Sequence, residues 1–136
     1  MTNRKWTTWT ELKNEVMSPE RQERLRARAR AKAVITPYST RDPGFVEAFL
    51  QRHPFLLPIL EELPNAAKAA FKGSPTLVLQ PATYEPWERY DELQVLIQTD
   101  QDASDALECL HAFDDNWWLD RYDQTEGKVS VHLEFI

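Results

Sequence analysis

The residues richest in chemistry lie together in Asp114-Asp115-Asn116-Trp117-Trp118-Leu119-Asp120-Arg121-Tyr122-Asp123. Clustered carboxylates suggest calcium. An EF-hand loop opening at Asp114 needs an oxygen ligand at its fifth place, Gly at its sixth and Glu at its twelfth, and those places hold Trp118, Leu119 and Thr125. The pattern fails, and the segment reads as a solvated helix end followed by a loop. General acid–base catalysis needs one desolvated and one ionised carboxyl, which adjacent Asp114 and Asp115 in an exposed turn do not offer. His53, His111 and His132 are scattered, and the chain has a single cysteine, Cys109. Zinc needs three or four convergent ligands, so no metal site is expected. Cys109 on a helix reads as a small buried hydrophobe rather than a nucleophile. No nucleophile elbow is present. Neither phosphate-cradling glycine motif occurs, and three glycines in the chain are few for loops that approach a cofactor. No catalytic residue and no cofactor is expected.

Binding is the chemistry that remains, and charge points to it. Residues 1–43 carry ten Lys/Arg against five acids, a net +5, whereas residues 44–136 carry six against seventeen, a net −11. Such asymmetry suggests two units with different partners: a basic helical arm and linker at 1–43, and an acidic domain at 44–136. Arg21, Arg24, Arg28 and Lys32 share one flank of a helix whose narrow stripe is Leu25, Ala29 and Ala33. Trp6 and Trp9 lie just upstream as anchors. Trp117 and Trp118 cannot both point the same way in a helix or a strand: one indole is expected to fill the core between helix and sheet, and the other reads as a second core anchor or as a partner contact. The partner-binding residues are therefore Trp6, Trp9, Arg21, Arg24, Leu25, Arg28, Lys32, Trp117 and Trp118. An acidic partner protein fits this arm. Nucleic acid is the alternative, opposed by the −11 domain and by Glu20 and Glu23. A small-ligand site or an enzyme pocket between helix and sheet is the other alternative.

The elements that must position these residues follow from caps and periods. Thr8-Trp9-Thr10-Glu11 is a capping box for a short helix. Ser18-Pro19-Glu20 starts a second helix, which runs to about Ala33. Val34–Tyr38 reads as extended, because Pro37 biases Thr36 away from the α region, and 39–44 reads as a linker. Helices follow around Phe45–Leu50 and through Asn65–Phe71, with Pro58 and Pro64 as kink or restart points. Thr76–Thr83, Glu92–Thr99 and Val129–Phe135 carry strand patterns. Asp102 caps a helix between the last two. The class is α+β: helices, then a β-β-α-β unit with a small, mostly antiparallel sheet. It becomes a ferredoxin-like split βαβ set if Val34–Tyr38 also pairs, with Pro81 then on an edge strand.

One cysteine, no apolar run behind the charged first residues and no span-length apolar stretch lead to the expectation of a cytoplasmic protein with no membrane contact. No oligomeric state can be read.

Two resemblances add to this. Lys5-Trp6 … Glu11-Leu12-Lys13 … Ser18-Pro19-Glu20-Arg21 … Arg24 … Ala27-Arg28 resembles the N-terminal leader of Xre-type helix-turn-helix antitoxins of bacteria. It covers residues 5–33, and no helix-turn-helix follows. The resemblance implies contact with a toxin encoded by an adjacent gene. Phe49-Leu50-Gln51-Arg52-His53-Pro54-Phe55-Leu56 and Phe113-Asp114-Asp115-Asn116-Trp117-Trp118-Leu119-Asp120, with the closing Gly127-Lys128-Val129, look like an uncharacterised family of small bacterial, often cyanobacterial, proteins; this implies no activity.

Overall fold

Ser18 starts the first helix in the manner its sequence demands. Its Oγ accepts from the Arg21 amide at 3.2 Å, Pro19 occupies the first turn, where no N–H is needed, and α1 runs over Pro19–Ile35. The computed structural model describes residues 18–82 and 91–136. The expected short helix around Thr8–Val16, Trp6, Trp9 and most of the connection between the second and third strands lie outside the described residues.

Helix α1 is two residues longer than its sequence suggested. Thr36 keeps α geometry (φ −53°, ψ −41°) in spite of Pro37, and its hydroxyl donates to the Lys32 carbonyl at 2.8 Å. Val34 and Ile35 are therefore helical rather than extended. The strand on this side is β1, only Ser39–Thr40, inside the segment that reads as a linker. Asp42 then caps α2 (Pro43–Arg52) from a left-handed conformation, φ 59°, which Asp tolerates better than most residues. A 3₁₀ turn at Pro54–Leu56 leads into α3 (Leu57–Ala70).

Neither proline breaks α3. Pro58 sits in the first turn, where its missing N–H costs nothing. Pro64 is internal and cannot donate to the Leu60 carbonyl, the acceptor four residues back. The Tyr38 hydroxyl donates to that carbonyl instead, at 2.6 Å in a buried setting.

Strands β2 (Thr76–Pro81), β3 (Leu93–Thr99) and β4 (Val129–Phe135) complete a sheet of order β1-β2-β3-β4. The class is α+β, as the periods indicate. The sheet is mixed rather than mostly antiparallel: β1 with β2 and β3 with β4 run parallel, and only β2 with β3 is antiparallel. Both parallel pairs close across helical crossovers, which return the chain to the strand it has just left. The paired strands are adjacent, so the ferredoxin-like split arrangement does not form. Pro81 is tolerated because β1 reaches along β2 no further than the bond from the Arg41 amide to the Leu79 carbonyl.

Between β3 and β4 lies α4 (Ala103–Phe113), capped by Asp102, whose carboxylate accepts from the Asp105 amide at 2.8 Å. The expected loop after it is helical instead. A π segment at Asp114–Trp118 is closed by the Leu119 amide on the Asp114 carbonyl, and a short α5 (Leu119–Tyr122) and a 3₁₀ turn follow.

The helices cover one face of the sheet. Leu77, Leu79, Leu93, Val95, Ile97 and Val129 pack there with Val46, Phe49, Leu50, Leu56, Leu60, Leu63 and Phe113. Ala31, Val34, Ile35 and Tyr38 join the same cluster, so the packing runs across 39–44 into the last turns of α1. Among the described residues no helix is long and apolar enough to cross a membrane.

Candidate interaction surface

Helix α1 buries only its C-terminal half. Ala31, Val34 and Ile35 face the core, with Ala27 half-buried beside them. This is a different face from the Leu25, Ala29 and Ala33 stripe. Both sets have helical spacing, but Val34 and Ile35 add two large side chains to the docked one. The outward stripe stays in solvent: Ala29 and Ala33 are exposed, and Leu25 keeps 43% of its surface.

At about 100° per residue, this outward stripe runs between two rows of cations. Arg21, Arg28 and Lys32 stand on one side and Arg26 and Arg30 on the other, all exposed. Arg24, Arg26, Arg28, Arg30 and Lys32 make no ion pair among the described residues. Thus Arg21, Arg24, Leu25, Arg28 and Lys32 come together as the sequence places them. Arg24 also lines an open groove with Ala27, Phe45, Ala48, Gln51 and Arg52, between α1 and α2. That groove has an apolar floor and an arginine on each rim. The residues it draws from α2 have no signal in the sequence that ties them to the arm.

The indole pair belongs to another part of the surface. Trp118 is buried, its ring stacked on Phe113 at 6.4 Å between centroids. Trp117 is half-buried, 5.6 Å from the Phe113 ring, with the Arg121 guanidinium 5.8 Å from its own ring centroid. It closes a cleft floored by Ala66, Ala69, Ala70 and Ala112. Of the two, Trp117 is the one that reaches solvent.

Two polar groupings bring together residues distant in sequence. At the start of β3, the Asp91 carboxylate meets Arg52 Nη2 at 3.1 Å, His53 Nε2 at 3.2 Å and Lys128 Nζ at 3.6 Å. Desolvation opposes ionisation there, but the His53 hydrogen bond and the charges of Arg52, His53 and Lys128 outweigh it and hold the carboxyl below its usual range. On the sheet face away from the helices, Arg41 beside β1 reaches Glu134 on β4, with bonds of 2.7 and 2.9 Å. Arg41 also donates to Gln80, Gln80 to Gln94, and Gln98 to Glu134, so the network touches all four strands. Val78 and Leu96, 2% and 7% exposed, lie on this face.

In the acidic segment, burial raises the Asp114 carboxyl, His111 pulls it back and Asp115 pushes it further up. Among the described residues no three His, Cys, Asp or Glu side chains come together to hold a metal ion. Comparison with protein-family models, with curated proteins and with solved structures gives no match.

Proposed function

We propose that this protein is a non-enzymatic interaction module that captures an acidic partner protein on the outward face of α1. The observation that carries this reading is the Leu25–Ala29–Ala33 stripe, held in solvent between two rows of cations. An apolar stripe of that kind is complementary to a helix with small apolar residues on its contact face and carboxylates at its margins, the helix-in-groove mode. The alanines permit close approach. The cations steer the encounter and make it salt-sensitive. Docking the C-terminal half of α1 on the domain pre-forms the helix, which lowers the ordering cost of binding. The resemblance of residues 5–33 to toxin-contacting leaders supports the same class of partner, the product of an adjacent gene.

The test is capture of a partner from extracts of the native host, with wild type beside Leu25→Asp and the pair Arg24→Glu/Arg28→Glu. The expected result is one acidic protein held by wild type and lost from both variants, with melting unchanged because these side chains are exposed. Retention of the same protein by both variants would sink the reading. Binding of mixed-sequence duplex DNA that the charge reversal abolishes would transfer the surface to nucleic acid.

A further inference from the structure

The two edges of the sheet are unequal. On one side β1 is two residues long, a blunt edge of the sort that discourages pairing. On the other side β4 is seven residues long, and among the described residues no strand pairs with its outer edge. Edge strands are commonly protected by proline, bulges or lysines; Val129–Phe135 contains neither proline nor lysine.

The hydrogen bonds between β3 and β4 fix which groups point outward. Lys128 accepts through its carbonyl from Leu93, and Ile136 donates to Thr99, so the even-numbered residues of β4 face β3. The N–H and C=O groups of Val129, Val131, Leu133 and Phe135 therefore face away from it. The same odd residues carry the side chains of the helix-covered face, and that face is unfinished at the edge. Their in-register neighbours Val95 and Ile97 are fully buried. Val131 and Leu133 are only half-buried, and Phe135 keeps 53% of its surface.

We propose that β4 is a homodimer seam, pairing antiparallel with β4 of a second copy about His132 to form one continuous eight-stranded sheet. A second copy is the occupant because the strand is complementary to itself in this register. Val131 falls opposite the partner's Leu133, and Val129 opposite the partner's Phe135, all with outward backbone groups. The two hydrogen-bonded pairs of each half exchange their bonds, and apolar side chains meet apolar ones on the helix-covered face. On the opposite face, Ser130 falls opposite the partner's Glu134. Among the described residues Ser130 Oγ is buried without a hydrogen-bond partner, and a carboxylate across the seam supplies an acceptor. The twofold relation makes the patch isologous, as closed dimers require.

Sedimentation equilibrium of the full chain over a concentration series tests this. At tens of micromolar the expected mass is twice 15.9 kDa. Val131→Pro removes an outward N–H at an edge position, and Phe135→Lys sets a charge in the apolar seam; each is expected to weaken dimerisation at least tenfold. Phe135→Lys alters an exposed side chain and serves if the proline variant fails to fold. The register has its own test in a Cys109→Ser background. The paired His132 positions would be a non-hydrogen-bonded pair, about 4.5 Å between Cα atoms, within disulfide reach. His132→Cys should therefore cross-link to a dimer under mild oxidation, and Ser130→Cys should not. A monomer mass at every concentration, a dimer indifferent to Phe135→Lys, or equal cross-linking at 130 and 132 would overturn the proposal.

Discussion

The Tyr38 hydroxyl donates at 2.6 Å to the carbonyl of Leu60, the group that Pro64 leaves without its helical donor. One bond thus ties the segment leaving α1 to the middle of α3, and it repairs the ladder where a proline has opened it. Burial raises the phenol well above its ordinary pKa, so Tyr38 stays a neutral donor over the whole working range.

Tyr38→Phe should therefore cost about 1–3 kcal/mol, the penalty of a buried polar group left unpaired. Pro64→Ala returns an N–H to the same carbonyl. In that background Tyr38→Phe should cost at least about 1 kcal/mol less, a coupling read from a double-mutant cycle in urea. Equal costs in the two backgrounds would show that the hydroxyl and the missing N–H are independent.

The Arg41–Glu134 pair carries a pH signature. The Arg41 hydrogen bond, then that from Gln98, lower the Glu134 carboxyl from 4.5 to about 2 in the folded chain. A depressed carboxylate stabilises the fold above its unfolded pKa, and that contribution is lost as pH falls from about 4.5 toward 2. Carbon-detected NMR titration should place Glu134 well below the other glutamates. Arg41→Met should return it most of the way to its ordinary value and shift acid unfolding to higher pH. Because both side chains are open to solvent, added salt should shrink the difference.

The neighbouring indoles should behave very differently. Trp118→Ala empties a site packed on Phe113 and should cost about 3–5 kcal/mol. Trp117→Ala removes a half-buried ring lying under Arg121 and should cost less than half of that. Thermal melts of the two variants decide it, and equal losses would mean that both indoles are core residues.

Much of the architecture is legible in the chain. Ser18-Pro19 and Asp102 are local signals satisfied by their own next residues, and the alternation in Leu93–Thr99 and Val129–Phe135 survives because one face of each strand is covered. What escapes depends on distant partners. The docked face of α1 is chosen by Val34 and Ile35 meeting α2 and α3, not by anything within α1. Strand β1 is two residues long and leaves no period. Arg41 and Glu134 are separated by 93 positions, so nothing local links them. Of the candidate surface, the cations of α1 are plain from composition, whereas its junction with Phe45 and Arg52 needs the fold.

The π segment at Asp114–Trp118 has a consequence for how this chain can change length. In a continuous α-helix Trp118 would stand about 140° around from Phe113; the wider turn, closed by Leu119 on Asp114, brings the two rings onto one side. The extra residue is a phase adjuster, and the identity of the side chain at its exposed crest matters little. Substituting Asp115 or Asn116 should leave melting nearly unchanged. Deleting either one sets Trp118 four positions after Phe113, about 40° around on a regular α-helix, and should keep both rings on one side at little cost in melting. Inserting one residue beside them should swing Trp118 out of the core and lower stability by as much as Trp118→Ala. This helix should tolerate changes of letter, and even the loss of one, where it cannot tolerate a gain.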